Sequence, residues 1–524
     1  MRHIFVICLL IICGRFTVDS ARILGIFIHP AISHFRAFRP VLHALGEKGH
    51  DVYVVSHFPE KDPPTNYHEF ILKQDDILTG TAAVDEVYSP RTFRIFYEEF
   101  HALMDEGIRA CEAFFNSPFM EQIQQLNNQH QFDILITEYF NTDCVLGFAH
   151  KLGITKFIGM SSCALMPWHY DRVGLPDSPS YIPNEFVGYS DKMNLIERMV
   201  NWITVHGCKL GYRIFQQRDN ARVKRYLGEG IPDLQELAKQ TKLLFINQHF
   251  SLSGVKPFPP SVIEIGGIHI SNNREKLPTD LQNILDNSKH GVIYVSWGSI
   301  ITSRGMPDEK KKEIVNAFKR IPQTILWKWE EDEFTKSAEN IHIRSWFPQI
   351  DILCHPNVVA FMSHGGMMGI SETVYCKKPA IVTPIYGDQY LNGAAVENRG
   401  MGIVLNYDEL NEENIYKSIQ EILKPDYKHQ AEKVAQSYNN RPLSAIDTAL
   451  FWTENIIKND GSLLKSQASE LNWFSYYCID VFLAIVCVLL AIILLIFKII
   501  KLTLFSFKLS KPKKDVKIIK KKKK

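Results

Sequence analysis

The sequence lacks several patterns that mark common classes of protein. Its ten cysteines form no Cys-x-x-Cys pair and show no ligand-like spacing, so we predict no zinc site. It also has no Asn-x-Ser/Thr acceptor, an absence that does not exclude a location in the secretory pathway. The net charge is only +2 over 524 residues, and the body is acidic once the lysine-rich end is set aside. This balance argues against nucleic-acid binding.

Two long apolar runs lie at opposite ends of the chain. Residues 1–20 have an early Arg, an apolar run and small residues near Ser20, which is the layout of a secretory signal peptide. Residues 479–500 form an apolar segment close to the length of about 20 residues that spans a bilayer as a helix. We therefore predict one transmembrane helix near the C-terminus.

The tail 501–524 is rich in lysine, and the positive-inside rule therefore puts it in the cytosol. Lys521 and Lys522 resemble the dilysine retrieval signal of endoplasmic reticulum membrane proteins. We expect a type I protein of that membrane with its body in the lumen. An oxidising lumen permits disulfides, but their pairing cannot be deduced from sequence. The cysteines of the body are Cys111, Cys144, Cys163, Cys208, Cys354 and Cys376.

Between the two apolar runs, strand and helix patterns alternate. "ARILGIFIHP", a helical segment and "DVYVVS" form one strand–helix–strand unit, which predicts a parallel sheet. The Pro- and Gly-rich "SLSGVKPFPPSV" is interpreted as a linker, and a second alternation begins at "SVIEIGGIHI". We predict an α/β fold with two domains, 21–250 and 251–460.

One segment, "FMSHGGMMGISETVYCKKPAIVTPIYGDQ", combines several features of a nucleotide site. A strand pattern ends at Gly365-Gly366, where the backbone can approach a ligand closely. A helix that begins near Met367 would direct its free N–H groups at an anion such as a diphosphate. His364 could donate to phosphate, and Glu372 could accept two hydroxyl protons of a ribose.

This segment resembles the signature of the UDP-glycosyltransferase family, the membrane-bound enzymes of animals that conjugate drugs and metabolites. The matching positions are Ser363, His364, Gly365, Gly366, Gly369, Glu372, Pro379, Pro384, Asp388 and Gln389. The resemblance extends over nearly the whole chain. It implies a GT-B architecture, in which two Rossmann-like domains face each other across a cleft, followed here by a transmembrane helix.

The resemblance also implies contacts to the nucleoside of the donor. Trp346, in "RSWFPQIDIL", is expected to stack on uracil, and Gln349 to bind near the uracil or ribose. Glu372 would take the ribose hydroxyls. Met368 departs from the family pattern, because many relatives carry Asn there and methionine cannot donate a hydrogen bond to phosphate.

The remaining donor contacts implied by the resemblance involve the diphosphate and the sugar. Ser299 in "SWGS" matches the phosphate-loop serine of the family. His364 and the N–H groups of residues 366–369 would hold the diphosphate. Asp388 and Gln389 would bind hydroxyls of the transferred sugar.

A second constellation, "HPAISHFRAF", contains the candidate catalytic base. His34 follows the first strand, at the position of the general base in the family, and an imidazole can take a proton from an acceptor hydroxyl near neutral pH. A carboxylate should hold its tautomer. "DILITEYFNTDC" offers Glu138, which matches the expected position, and Asp143, which matches the expected residue type. We favour Asp143 and keep Glu138 as the alternative.

The predicted reaction is an inverting transfer of a hexosyl group from a UDP-sugar to a small lipophilic acceptor. Glucose is favoured over glucuronate, since no arginine is clearly placed to bind the carboxylate of a glucuronate donor. Aromatic residues of the first domain are candidates for acceptor contact: Phe93, Phe96, Tyr97, Trp168 and Tyr170. No cofactor or metal is expected, because the UDP-sugar is a co-substrate and no Asp-x-Asp pair lies near the donor motif.

A different class of function stays open from the sequence. The chain would then bind a nucleotide sugar or a lipophile in the lumen without catalysis. Homo- or hetero-oligomers also stay open. Replacement of His34 by Ala separates the two functions, because an enzyme loses transfer while it keeps UDP binding.

Overall fold

The computed structural model describes residues 20–73, 82–88, 93–271, 274, 276–298, 301–302, 305–330 and 338–509. It divides into two units, the first ending at Ser469 and the second beginning at Glu470. The predicted signal peptide (except Ser20), Ser299 and the lysine-rich tail from residue 510 onward lie outside the described residues.

The described strands belong to two large sheets and one small one. They are β1 (Arg22–Ile26), β2 (Asp51–Ser56), β3 (Tyr67–Ile71), β4 (Ala82–Ala83), β5 (Ile134–Glu138), β6 (Phe157–Ser161), β7 (Thr241–Ile246), β8 (Val262–Glu264), β9 (Val292–Ser296), β10 (Ile301–Thr302), β11 (Thr324–Lys328), β12 (Ile341–Arg344), β13 (Val358–Ser363), β14 (Ala380–Val382) and β15 (Gly402–Val404).

Helices connect most of these strands. The described α-helices are Ile32–Glu47, Val84–Val87, Phe93–Phe115, Phe119–Gln129, Cys144–Lys151, Leu195–Leu227, Leu234–Ala238, Phe250–Ser253, Thr279–Asn287, Asp308–Lys319, Gln349–Leu353, Met367–Tyr375, Gln389–Asn398, Glu412–Ile422, Pro425–Asn439, Ala445–Asn459, Trp473–Tyr476 and Ile479–Leu509. Short 3-10 helices are Pro167–Arg172, Tyr407–Glu409, Ser462–Leu464 and Gln467–Glu470.

The first large sheet has seven parallel strands in the order β3-β2-β1-β5-β6-β7-β8. Its central strand β5 is buried along its whole length, as expected for a sheet covered by helices on both faces. The strand β8 differs from the expectation. From the sequence, Val262–Glu264 was predicted to belong to the second alternation, whereas this strand pairs with β7. A strand of three residues carries too little pattern to indicate its partner.

The second large sheet has six parallel strands in the order β12-β11-β9-β13-β14-β15. In both sheets the strand order reverses beside the first strand, between β1 and β5 in one and between β9 and β13 in the other. Ligands of open parallel sheets bind at the carboxyl ends of the strands at such a reversal. Each predicted half of the site lies directly after a strand at one of these reversals: His34 comes after β1, and His364 comes after β13.

The chain returns to the first sheet near its end. Leu450 and Ile456, on the helix Ala445–Asn459, lie in the same apolar core as Ile23 and Leu45. The two halves of the first unit are therefore joined through β8 and through this helix, and also through the small sheet in which β4 pairs with β10.

Two disulfides link Cys111 to Cys144 and Cys354 to Cys376. In the second unit, the helix Ile479–Leu509 contains the expected apolar segment. Residues 479–507 are long and apolar enough to cross a membrane, and the described residues do not bury their apolar stretch.

Candidate functional site

His34 lies in the first turn of the helix Ile32–Glu47, directly after the loop that follows β1. Its Nδ1 is 2.6 Å from Glu138 Oε1, at the end of β5, and 3.0 Å from the Ser162 hydroxyl, just after β6. Its Nε2 has no hydrogen-bond partner among the described residues, and the side chain is 19% exposed to solvent. The ring is therefore fixed through one nitrogen, and the other is free to accept a proton.

The charges around His34 favour its protonated form. Burial lowers the pKa of His34, but the charge and hydrogen bond of Glu138 outweigh burial, so the pKa lies above its usual value. The neighbouring His29 ring lies 4.5 Å away between centroids, and its pKa shifts in the opposite direction. Burial and the charge of His34 lower the pKa of His29 to about 3, so His29 stays neutral. The pair Glu138–His34 thus has the features of a general base with its orienting carboxylate.

The predicted pairing of His34 with Asp143 is wrong in the structure. The Asp143 carboxylate is fully buried and accepts hydrogen bonds from Arg172, Tyr212 and Gln216 at 2.7, 2.8 and 2.7 Å. Glu138 is the last residue of β5, so its side chain stays at the carboxyl edge of the sheet. The chain then turns away before Asp143, which lies at the start of the helix Cys144–Lys151.

The second half of the site surrounds the bend after β13. Gly365 has a φ of 93°, a left-handed conformation that favours glycine. A Cβ atom at Gly298 or Gly366 would lie 2.7 or 2.6 Å from the His364 ring, so both positions need glycine. The ring is thereby enclosed by backbone from two loops, which fixes its direction.

His364 is neutral near pH 7 in this setting. Burial, together with the positive charge of Lys328, lowers its pKa to about 4. The Lys328 ammonium donates to the Gly298 carbonyl at 2.8 Å, so a cation lies beside the same bend. His364 can therefore contribute an N–H donor to a phosphate, and Lys328 contributes the positive charge.

The helix Met367–Tyr375 begins at this bend, with Gly366 as its N-cap and no capping side chain. Gly369 lies one turn further, where a Cβ would make only ordinary contacts. Such a helix start offers backbone N–H groups and a partial positive charge to an anion. The region predicted to hold the diphosphate thus has suitable geometry, although the side chain of Met368 adds no donor.

Asp388 and Gln389 lie next to this helix start. Asp388 accepts a hydrogen bond from Asn392 at 2.8 Å and one from the Met367 N–H. The Gln389 side-chain oxygen accepts from the backbone N–H groups of Ile385 and Tyr386 at 2.9 and 3.2 Å. These contacts hold both side chains in place beside the helix start.

The residues predicted to bind the nucleoside are also brought together. Gln349 donates to Glu372 Oε2 at 2.7 Å, and His269 lies 3.4 Å from the other oxygen. Trp346 is 58% exposed, so part of its surface is accessible to a ligand.

Charges and contacts connect the two halves across the cleft. The negative charge of Asp388 contributes to the raised pKa of His34, so the two side chains are close enough to interact electrostatically. The Arg36 guanidinium carbon, two residues beyond the base, lies 5.5 Å from the centroid of the Trp346 ring. Burial and the charge of Arg39 lower the pKa of Arg36, and Glu372 opposes this.

Sequence reasoning missed Arg36, His269 and Lys328. Arg36 and His269 are far along the chain from Trp346 and Glu372, respectively, and only the tertiary fold brings them together. Lys328 is the last residue of β11, which pairs with β9, a strand beside the reversal of strand order. This position at a strand end was the one signal that the sequence offered.

An apolar cluster lies beside the base. Trp168 donates to the Phe140 carbonyl at 2.9 Å, and the Phe140 ring is 4.8 Å from His34 between centroids. Phe96 packs at the edge of the same cluster. Of the other aromatic candidates, Tyr170 lies in the main core and Tyr97 is exposed. The side chain of Phe93 is outside the described residues.

Comparisons with known proteins identify the family of the chain. Residues 25–515 match the family model described as "UDP-glucoronosyl and UDP-glucosyl transferase". "UDP-glycosyltransferase UGT5" of Dactylopius coccus is 35% identical over 497 residues, which cover 93% of this chain and 92% of that protein. "UDP-glucosyltransferase 2" of the same organism is 32% identical, covering 89% and 90%.

A solved structure has the same architecture. The complex of Phytolacca americana UGT2 with UDP-2fluoro-glucose and pterostilbene superposes with a TM-score of 0.57 at 16% identity, covering 84% of this chain and all of that one. At this identity the likeness shows the fold alone, and it confirms the predicted GT-B architecture.

Proposed function

Because the chain belongs to the family of UDP-glucuronosyl and UDP-glucosyl transferases, we propose that it moves glucose from UDP-glucose to the hydroxyl of a small lipophilic acceptor. It is a UDP-glycosyltransferase by its family. Glucose is proposed as the sugar because a relative named as a glucosyltransferase is 32% identical over most of both chains. The observation that carries the mechanism is the contact between His34 and Glu138 at 2.6 Å, opposite Asp388.

The base acts on the acceptor. His34 Nε2 takes the hydroxyl proton while Glu138 stabilises the imidazolium that forms. The acceptor oxygen forms a bond to the anomeric carbon, and the bond from that carbon to the diphosphate oxygen breaks on the opposite face. UDP leaves with the electron pair, and an α-linked donor gives a β-glycoside. No cofactor or metal enters this sequence of bonds.

The diphosphate gains negative charge as the bond breaks. The N-terminus of the helix Met367–Tyr375, the N–H of His364 and the Lys328 ammonium lie around one bend and would stabilise that charge. Asp388 and the amide nitrogen of Gln389 are proposed to bind hydroxyls of the glucose. Gln349 and Glu372 would hold the ribose, and Trp346 the uracil.

Two features support the proposed acceptor and compartment. The apolar cluster beside Phe140 offers a lipophilic molecule a surface next to the base. The disulfides Cys111–Cys144 and Cys354–Cys376 favour an oxidising compartment such as the lumen of the endoplasmic reticulum. We therefore propose a lumenal body on a single membrane helix with a cytosolic C-terminus.

Product analysis tests the function. Membranes that contain the full chain are incubated with UDP-glucose or UDP-glucuronate and a panel of phenols, and products are identified by mass. We expect hexosides of at least one phenol with UDP-glucose and none in membranes without the protein. If UDP is not released with any combination while UDP still binds, the chain is a binding protein instead.

The pH dependence of transfer should report on His34. Only the neutral imidazole can accept a proton, so kcat/KM should rise with pH through the raised pKa of His34. The Glu138→Gln variant removes the charge that favours the imidazolium, so its residual activity should have an acid limb at lower pH. Rates over a pH series for both proteins test this. An unchanged limb would show that another group controls it.

A further inference from the structure

Arg36 lies beside the predicted nucleoside site, but the proposed transfer gives it no role. It belongs to the helix Ile32–Glu47, two residues beyond His34, and its side chain is exposed. Among the described residues Arg36 forms no hydrogen bond and no ion pair. Arg39, about one turn further along the same helix, is instead paired with Glu60 at 2.7 Å. The donors of the Arg36 guanidinium thus remain available to a ligand.

Two groups of the predicted nucleoside site lie close to this guanidinium. Its central carbon is 5.5 Å from the centroid of the Trp346 ring, within the range of about 6 Å in which an aromatic face attracts a cation. Glu372 is close enough to interact electrostatically with the same guanidinium. Trp346 is expected to stack on uracil, and Glu372 to take the ribose hydroxyls. Arg36 therefore lies at the nucleoside end of the donor site.

The loop that carries Trp346 is anchored beside that residue. It joins β12 to the helix Gln349–Leu353. Phe347, the next residue, is buried and packs against Tyr294 with 5.8 Å between ring centroids. Because this buried neighbour limits movement of the loop, the distance between Trp346 and Arg36 depends mainly on the arginine side chain.

The separation of Arg36 and Trp346 is close to what a flat base between them needs. Stacked layers lie about 3.5 Å apart, so a base with one group on each side needs about 7 Å between those groups. From 5.5 Å, the guanidinium would have to move outward by only about 1.5 Å, a small change for a long flexible side chain. A guanidinium is planar and stacks on aromatic faces, and bases of nucleotides stack on arginine as well as on aromatic side chains.

We propose that Arg36 binds the uracil of the donor, with its guanidinium stacked on the face of the base opposite Trp346. The uracil is then held between a tryptophan from one half of the first unit and a cation from the other. This inference rests on the proposed function, because it adds a contact to the same donor site. The competing role for Arg36 is a contact to the diphosphate.

Binding of UDP and of uridine by the full chain in phosphatidylcholine nanodiscs separates the two roles. Calorimetry measures the affinity for UDP, and displacement of UDP measures that for uridine, which lacks the diphosphate. Arg36→Ala should weaken both by the same factor of about 2–30, the range expected for loss of one cation–aromatic contact. Arg225→Ala, exposed on the helix Leu195–Leu227, is the matched control and should leave both affinities unchanged.

Two further variants test the stacked geometry. Lysine keeps the charge but has no planar group, so Arg36→Lys should recover only part of the lost affinity. Arg36→Ala combined with Trp346→Leu should weaken UDP binding by less than the product of the two separate factors, because both side chains hold one base.

Unchanged affinity of Arg36→Ala for UDP would overturn the inference. So would a loss confined to UDP, which means contact to the diphosphate, full recovery in Arg36→Lys, or independent effects of the changes at Arg36 and Trp346. Each of these results leaves the proposed function in place. Failure of the unaltered chain to bind UDP would instead contradict both the inference and the proposed function.

Discussion

Replacement of Glu138 by Gln is expected to lower kcat by about 10²–10⁴-fold without loss of UDP binding. Glutamine has nearly the same shape, but it carries no charge to stabilise the imidazolium of His34, whose Nδ1 is 2.6 Å from the carboxylate. It can also accept a hydrogen bond at one atom and donate at another, so it no longer selects one tautomer. Rates of product formation at saturating donor and acceptor measure the change.

Glu121→Gln is the matched control, since this carboxylate is exposed on the helix Phe119–Gln129. Its kcat should equal that of the unaltered chain. A Glu138→Gln enzyme with full kcat would mean that the short contact to His34 plays no part in the reaction.

Replacement of Asp143 by Asn should instead destabilise the protein. The change leaves the buried Arg172 guanidinium without its counter-charge and weakens the contacts to Tyr212 and Gln216. Loss of one partner of a buried ion pair lowers the free energy of unfolding by about 3–5 kcal/mol. Denaturant-induced unfolding of the full chain in nanodiscs, followed by tryptophan fluorescence, measures this. The folded fraction should keep its kcat.

Asp105→Asn removes an exposed carboxylate and should change the free energy of unfolding by less than about 0.5 kcal/mol. The two aspartate variants thus separate a structural role from a catalytic one. If Asp143→Asn instead lowered kcat at unchanged stability, Asp143 would act on the base although its carboxylate is hydrogen-bonded to other residues.

Much of the fold follows from local sequence pattern. The strand–helix–strand alternation from Arg22 to Ser56 predicted a parallel sheet, and the structure confirms it. The apolar segment near the C-terminus predicted a helix, also confirmed. The partner of β8 could not be predicted, because three residues of strand carry no information about which sheet edge they join.

For the candidate site, too, some features could be predicted from the sequence and others could not. Gly365, His364 and Glu372 lie within one strand–turn–helix segment, so their spacing already determined that they would share an edge. The carboxylate beside His34 comes from a distant strand. The choice between Glu138 and Asp143 depended on where the chain turns after β5, which residue type alone does not indicate. Arg36 approaches Trp346 only because the tertiary fold brings two distant segments of the chain together.

Measurement of UDP binding and of transfer in the His34→Ala variant tests the central claim most directly. Calorimetry should give a UDP affinity close to that of the unaltered chain, because His34 is not among the proposed nucleotide contacts. Product formation should fall by about 10²–10⁴-fold, since among the described residues only the His34 side chain is hydrogen-bonded to the Glu138 carboxylate. Transfer at the original rate, or loss of UDP binding together with transfer, would contradict the account.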